Sequence, residues 1–111
     1  MILVKRGEVW WIDFEHSVGG EIQKNRPAVI ISNDYTNQYS NRVQVIPLTS
    51  KIEKCYPCEA YVLVGDHKSK AMADQIMTVS KNRLKSIITI ISDKDMRSIE
   101  QVIKVQLSLH S

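Results

Sequence analysis

Short runs rich in β-branched and aromatic residues recur along most of the chain, and polar segments separate them. Such runs are typical of β-strands, because branched and ring side chains fit the pleated surface of a sheet. The predicted strands cover residues 7–14, 28–31, 43–48, 59–64, 71–79 and 85–91. In the first predicted strand, the neighbouring Trp10 and Trp11 should point to opposite faces, one into the core and one toward a partner or solvent.

The last segment has a different pattern. Ser92 suits a helix cap and Asp95 stands at the capping-box position. Apolar residues then recur at helical spacing, namely Met96, Ile99, Ile103 and Leu107. The pattern predicts a small, curved sheet with a C-terminal amphipathic helix over one end.

Length and composition narrow the class of protein. A chain of 111 residues with 43% hydrophobic content predicts one domain, residues 1–111. The net charge of +3 suits a polyanionic partner without requiring one. No apolar stretch resembles a signal or a membrane span, so we expect a cytoplasmic protein. In that reducing compartment, Cys55 and Cys58 are expected to be free thiols.

Three connecting segments carry distinct signals. The polar segment 15–25 contains Gly19 and Gly20 and predicts a flexible loop of the kind that often carries function. Pro27 biases Arg26 toward extended geometry, so Arg26 is expected at the junction of loop and strand. Residues 32–42 favour a short helical turn or an ordered loop, residues 65–70 favour a polar connection, and Pro47 favours an edge strand or a bulge.

The histidines and cysteines, which are residue types that can bind metals, do not have the spacing of a metal site. His16, His67 and His110 lie far apart in predicted loops or at the terminus, so we interpret them as surface histidines. Cys55 and Cys58 form a lone C-x-x-C, which as a zinc half-site lacks two further ligands. As a redox pair it precedes a strand where a helix is expected. We therefore predict no metal and no cofactor.

Four blocks carry a resemblance to a known family. They are WWIDF at 10–14, GGEIQKNRPAVIIS at 19–32, VIPLTS at 45–50 and ADQI at 73–76. In order and spacing they resemble the MazF/PemK family of toxin endoribonucleases over nearly the whole chain. The resemblance implies a plasmid-maintenance-toxin fold, a small SH3-like barrel with a C-terminal helix. It also implies a homodimer, an acidic antitoxin partner and metal-independent cleavage of single-stranded RNA at short sequences, leaving a cyclic phosphate and a 5′-hydroxyl.

The resemblance places Arg26, Thr49 and Glu21 in the catalytic site. RNA supplies its own nucleophile, the 2′-hydroxyl, so the enzyme must chiefly orient the chain and stabilise negative charge on phosphorus. The planar, always charged guanidinium of Arg26 suits two phosphate oxygens, and the hydroxyl of Thr49 can donate to a non-bridging oxygen. Glu21 is the candidate general base or positioning group. Taken singly, Arg26 also fits a solvated strand edge and Thr49 a strand-end cap.

The flanking loops supply candidate RNA-binding residues. Those expected along the RNA backbone are Lys24, Asn25, Ser50 and Lys51, with Lys54 beyond them. Asp74 and Gln75 are candidates for hydrogen bonds to base edges. Solvated surface residues are the alternative for the lysines.

The chain also departs from the family pattern. His16 and the segment 18–20 replace a more usual small or proline-containing run, and the Cys55 to Cys58 stretch is individual. Both flank the predicted site, so the preferred bases do not transfer from relatives.

Two other functions compete with RNA cleavage. A CcdB-like gyrase-inhibiting toxin shares the fold, but such toxins have a Trp-Gly-Ile type ending where this chain has LSLHS. A non-catalytic RNA-binding barrel would tolerate loss of both Arg26 and Thr49.

Overall fold

The strands and helices follow the order expected from the sequence. The computed structural model describes residues 3–14 and 25–110. Within these residues the elements are β1 (Glu8–Asp13), β2 (Asn25–Ile30), α1 (Asp34–Tyr39), β3 (Arg42–Thr49), β4 (Glu59–Val64), β5 (His67–Met72), β6 (Met77–Ser80), β7 (Leu84–Ile90) and α2 (Asp93–Leu107). Two 3₁₀ turns, Ala73–Gln75 and Lys81–Arg83, flank β6. No helix among the described residues is long and apolar enough to cross a membrane.

All strand pairs are antiparallel and form one curled sheet in the order β4-β5-β3-β2-β1-β7, with β6 paired to the first half of β3. This confirms the predicted mainly-β fold with a C-terminal helix. β3 is central, so the predicted edge position of Pro47 is wrong. Its neighbour changes between Val45, which pairs with β6, and Leu48, which pairs with β5. Pro47 lies in that gap, where a missing N–H costs no ladder hydrogen bond.

The two faces of the sheet bury separate apolar clusters. One cluster lies under α2 and includes Val29, Ile46 and Ile99. The other lies inside the curl and includes Trp10, Ile12 and Ala28. The alternation of side chains along β2 and β3 explains this division, since successive residues point to opposite faces. As expected, the two tryptophans differ: Trp10 is 8% exposed and Trp11 42%.

The region 65–80 differs from its prediction. The predicted strand 71–79 is broken by the 3₁₀ turn Ala73–Gln75, and the polar stretch expected as a connection contributes most of β5. A two-residue turn joins Val64 to His67, and Gly65 adopts a positive φ of 61° at its first position. His67 is thus an exposed strand residue rather than a loop residue. Polar residues form a strand here because β5 pairs with both β4 and β3.

α2 begins as predicted and packs on the sheet through Met96, Ile99, Val102 and Ile103. Ser92 accepts a hydrogen bond from the Asp95 N–H at 3.1 Å. The Asp95 carboxylate instead accepts the backbone N–H of Leu63 at 2.9 Å, which ties the helix to β4. Met96 and Ile99 are buried and Ile103 is partly buried against the same cluster, whereas the predicted core position Leu107 is exposed.

Candidate active site

Arg26 and Thr49 come together through the pairing of β2 with β3. Ala28 lies opposite Pro47 in the antiparallel ladder. Arg26 is two residues before Ala28 and Thr49 is two residues after Pro47, so both lie at the same end of the sheet. Because side chains alternate, both leave the same face, the one inside the curl. The structure therefore joins two blocks that are 23 positions apart in the chain.

These two residues belong to a longer row across the sheet. Thr49 lies opposite Lys70 of β5, and Arg26 lies opposite Ile12 of β1. Ile12 in turn lies opposite Leu84 of β7. The row thus has buried apolar residues at one side and the basic and hydroxyl side chains at the other. A rigid sheet positions the candidate groups, which favours a fixed geometry.

The Thr49 hydroxyl has a defined hydrogen-bond state. Its Oγ1 accepts the backbone N–H of Lys51 at 3.2 Å. A hydroxyl carries one proton to donate and two lone pairs. Since the backbone contact uses a lone pair, the proton stays available for an oxygen of a bound ligand.

Arg26 is half-buried and lies opposite the buried Ile12. Among the residues that the structure describes, it makes neither a hydrogen bond nor an ion pair. A partly desolvated guanidinium with open donors is suited to a phosphate, which can satisfy two of them at once.

The other sequence-predicted residues do not all join this row. Ser50 and Lys51 follow Thr49 directly and are exposed. Asn25 begins β2 next to Arg26 but, by alternation, lies on the opposite face, where it lines a cleft of about 380 Å³ with Trp11 and Lys85. Glu21 and Lys24, which the sequence predicts to act in catalysis and RNA binding, lie outside the described residues.

Asp74 and Gln75 lie in the 3₁₀ turn between β5 and β6. Both side chains are exposed, and the Gln75 amide is 3.5 Å from the sulfur of Met72. Ala73 of the same turn belongs to the cluster under α2. The turn therefore lies near the middle of β3, on the face of the sheet that α2 covers. It is not part of the row that contains Thr49.

The segment 50–58, which we call the latch loop, connects Thr49 to β4. Side chains of β4 and β5 hold it in place, and no sequence motif identifies them. Lys70 donates to the carbonyl oxygen of Lys54 at 2.7 Å and forms an ion pair with Glu59 at 2.9 Å. The Tyr61 hydroxyl donates to the carbonyl oxygen of Ile52 at 2.8 Å. A lysine in a polar segment normally indicates a solvent-exposed side chain, so the contacts of Lys70 with the latch loop become visible only in the three-dimensional structure.

The ion pair of Glu59 and Lys70 shifts the pKa of both groups. Burial alone raises the pKa of Glu59, but the N–H of Tyr56 and the Lys70 ammonium outweigh that effect and lower it. The hydrogen bond to Glu59 raises the pKa of Lys70, against the opposite effect of burial. Both groups are thus charged at neutral pH.

Basic residues flank the row on the β7 side as well. A polar cleft of about 270 Å³ is lined by Asp13, Ser80, Asn82, Arg83 and Lys85. Arg83 donates to the carbonyl oxygen of Asp13 at 3.2 Å. In residues 3–14 and 25–110, no three His, Cys, Asp or Glu side chains are grouped so that they could hold a metal ion. Cys55 is exposed, Cys58 half-buried, and both are free thiols.

Comparison with known proteins assigns the family. Residues 5–107 match the family described as PemK-like, MazF-like toxin of type II toxin-antitoxin system. The chain belongs to this family. Among its relatives, Endoribonuclease MazF of Staphylococcus saprophyticus is 36% identical, over 98% of this chain and 95% of that protein. Endoribonuclease MazF9 of Mycobacterium tuberculosis is 31% identical, over 98% of this chain and all of that protein.

Solved structures confirm the fold of this toxin. An endoribonuclease from a mycobacterial species, in complex with its cognate antitoxin, superposes with a TM-score of 0.81 at 22% identity. The match covers 100% of this chain and 99% of that one. The curled sheet and C-terminal helix of this toxin are therefore those of the MazF/PemK fold, as the sequence predicted.

Proposed function

We propose that this toxin is a metal-independent, sequence-specific endoribonuclease that cleaves single-stranded RNA in the cytoplasm, as one domain spanning residues 1–111. The 2′-hydroxyl oxygen attacks the adjacent phosphorus, and the P–O5′ bond breaks. The products are a 2′,3′-cyclic phosphate and a 5′-hydroxyl, with the 2′ proton lost to a base and a proton gained by the leaving oxygen. The two relatives from Staphylococcus saprophyticus and Mycobacterium tuberculosis are named endoribonucleases, which supports the activity.

The observation that carries the proposal is the shared register of Arg26 and Thr49 at one end of one face. The nucleophile comes from the RNA, so the protein needs no activated water and must stabilise charge on phosphorus. Arg26 would hold two phosphate oxygens through its fork of N–H donors. Thr49 would donate its free proton to a non-bridging oxygen, since the Lys51 N–H already occupies a lone pair.

The proton transfers fall to groups near this pair. An arginine guanidinium is already protonated at neutral pH and has no free site for another proton, so Arg26 is an electrostatic group in this scheme. Glu21 is the proposed base or positioning group, because a carboxylate accepts a proton readily and its position precedes Arg26 by five residues.

RNA flanking the cleaved phosphate would follow the basic loops on either side. Lys24, Ser50 and Lys51 are the proposed backbone contacts, and Asn25 is proposed to contact the RNA where it passes the first residue of β2. Asp74 and Gln75 are proposed to contact bases. The exposure of Ser50, Lys51, Asp74 and Gln75 is consistent with these roles.

We propose two protein partners. One is a cognate acidic antitoxin, supported by the mycobacterial endoribonuclease that was solved with its own antitoxin. The other is a second copy of the chain, because β7 ends the sheet and exposes Ile87, Ile88 and Ile90. Sedimentation at micromolar concentration should show a dimer, and a monomer alone would contradict this part.

Cleavage of a long single-stranded RNA in excess EDTA tests the activity. We expect the parent protein to cut at defined sites, and sequencing of the new 5′ ends to give the preferred bases. Arg26→Ala and Thr49→Ala should each lose at least about 100-fold in rate while remaining folded. Arg97→Ala, which removes an exposed arginine of α2, is the matched control.

The outcomes separate the candidate functions. If Arg26→Ala or Thr49→Ala cuts at the parental rate, the site assignment is wrong. If the parent binds RNA without cutting it, the chain is a non-catalytic RNA-binding barrel. If it neither binds nor cuts RNA but inhibits DNA gyrase, it acts as CcdB-like toxins do.

A further inference from the structure

Lys70 is a buried cation in the same cross-strand row as Thr49. Its side chain is 8% exposed and that of Glu59 10%. A lysine is rarely buried to this degree unless it is paired, because removing the ammonium from water is costly. Replacing such a pair by apolar residues is often neutral or stabilising, so stability alone gives little reason to keep it.

The polar atoms of Lys70 are committed within the protein. The ammonium lies 2.9 Å from the Glu59 carboxylate and 2.7 Å from the carbonyl oxygen of Lys54. The same Glu59 carboxylate accepts the backbone N–H of Tyr56 at 2.9 Å. Lys70 thus reaches the latch loop twice, once directly at Lys54 and once through Glu59 at Tyr56.

A third contact completes the attachment. The Tyr61 hydroxyl donates to the carbonyl oxygen of Ile52 at 2.8 Å. The latch loop is therefore held at every second residue, at 52, 54 and 56, by side chains of β4 and β5. Tyr61 and Lys70 lie opposite each other in the β4–β5 ladder, so the attachment points share one face.

The attachment bears on catalysis because the latch loop begins where β3 ends. Thr49 lies opposite Lys70, and its hydroxyl oxygen accepts the N–H of Lys51 from within the loop. If the loop moved, Lys51 would no longer fix the hydroxyl, which would turn to other acceptors. An error of about 1 Å in a catalytic group can cost roughly 100-fold in rate.

We propose that Lys70 is a positioning residue for RNA cleavage: together with Glu59 it fixes the latch loop, and thereby holds the Thr49 hydroxyl ready to donate to the phosphate. This inference rests on the proposed function of Arg26 and Thr49. Lys70 does not touch RNA in this scheme, since its ammonium is buried against Glu59 and Lys54.

The test compares variants that separate positioning from folding. Lys70→Met removes the ammonium and leaves Glu59 buried without its partner. The double variant Lys70→Met/Glu59→Met replaces the whole pair by apolar side chains and is designed to keep the fold. Lys70→Arg keeps a cation that can still reach Glu59. Lys94→Met, at an exposed site in the first turn of α2, removes the same charge elsewhere.

Single-turnover cleavage and steady-state kinetics should show a split between kcat and KM. Lys70→Met and the double variant should each lower kcat by about 10- to 100-fold, while KM stays within about 3-fold of the parent value. The reason is that the lost positioning weakens stabilisation of the transition state and not binding of the RNA. Lys70→Arg should recover part of kcat, and Lys94→Met should match the parent. Melting of each variant identifies the temperature at which all are folded for the assay.

Hydrogen exchange of the Lys51 amide gives a readout that needs no RNA. Loss of the attachment should speed this exchange by about 10-fold in the double variant, while amides in β2 keep their protection. A folded double variant with parental kcat and parental Lys51 exchange overturns the inference. A rise in KM with unchanged kcat also overturns it, since it would mean that Lys70 binds RNA directly. If the parent cleaves no RNA, the proposed function fails, and the exchange data still decide whether Lys70 holds the loop.

Discussion

The backbone N–H of Lys51 donates a hydrogen bond to the hydroxyl oxygen of Thr49 over 3.2 Å. The contact occupies a lone pair of the hydroxyl and leaves its proton free to be donated. Thr49 therefore keeps its proton available for donation at the end of the sheet where Arg26 lies. This polarity matches the needs of a phosphate that gains negative charge during cleavage.

Replacing the Thr49 hydroxyl by a methyl group tests this polarity. Thr49→Val keeps the shape of the side chain, so the fold should persist, but kcat should fall by about 100-fold because a donor to the transition state is lost. Thr49→Ser keeps the donor and should stay within about 10-fold of the parent. Single-turnover cleavage of a short RNA measures both, and equal rates for Val and Thr would show that the hydroxyl has no catalytic part.

Arg26→Lys separates charge from geometry. The lysine keeps the positive charge at the strand but cannot hold two phosphate oxygens with a planar fork. We expect kcat/KM to fall by about 10- to 100-fold, with a milder loss than for Arg26→Ala. Far-ultraviolet circular dichroism checks the fold, and a lysine variant as active as the parent would argue that Arg26 supplies charge alone.

Local patterns predicted the strands and the helix start well, because each depends on neighbouring residues. β4 occupies the predicted residues 59–64, and Ser92 caps α2 as expected. The prediction failed at β5, where Lys68 and Lys70 lie in a strand between two partners. Pairing with distant strands overrides local propensity, and no local pattern reports it.

The site shows the same division. Arg26 and Thr49 were identifiable from their motif blocks, but their meeting depends on the register of β2 against β3, which the sequence does not display. The sequence alone does not identify Lys70 and Glu59, because their residue types normally indicate solvent exposure. Their role depends on burial beneath the latch loop, a property of the folded chain.

A buried polar cluster next to α1 should matter for stability. Asn37 is fully buried, and its amide donates to the carbonyl oxygen of Ser32 at 2.9 Å and to the Asp34 carboxylate at 3.0 Å. Asn37→Ala leaves the Ser32 carbonyl oxygen without this donor, while Asp34 keeps the N–H of Arg6, and should lower the free energy of unfolding by about 2 kcal/mol. Urea denaturation measures the change, with the exposed neighbour Gln38→Ala as control. A loss below about 0.5 kcal/mol would contradict the importance of this cluster.

The helix cap at Ser92 permits a cleaner measurement. Its hydroxyl accepts the Asp95 N–H at 3.1 Å, so Ser92→Ala should cost about 1 kcal/mol of unfolding free energy. Ser92→Asp keeps an acceptor and should stay near the parent. Ser98→Ala, inside the same helix, should be neutral or slightly stabilising because alanine favours the helix. Equal stability of Ser92→Ala and the parent would show that water replaces the cap.

The ion pair of Glu59 and Lys70 should make stability depend on pH at both extremes. The folded pKa of Glu59 is lowered from 4.5, so its contribution is present above that value and is lost as the pH falls through the lowered pKa. The folded pKa of Lys70 is raised from 10.5, so its contribution is present below that value and is lost as the pH rises through the raised pKa. Glu59→Gln leaves the Lys70 ammonium without its carboxylate partner, so this variant should be less stable than the parent at neutral pH. Asp34, whose pKa the N–H of Arg6 lowers, titrates in both proteins and cancels in the difference. Unfolding free energies measured against pH should therefore converge in acid, and a difference that persists unchanged at the lowest pH would show that Glu59 stabilises the fold by packing and not by charge.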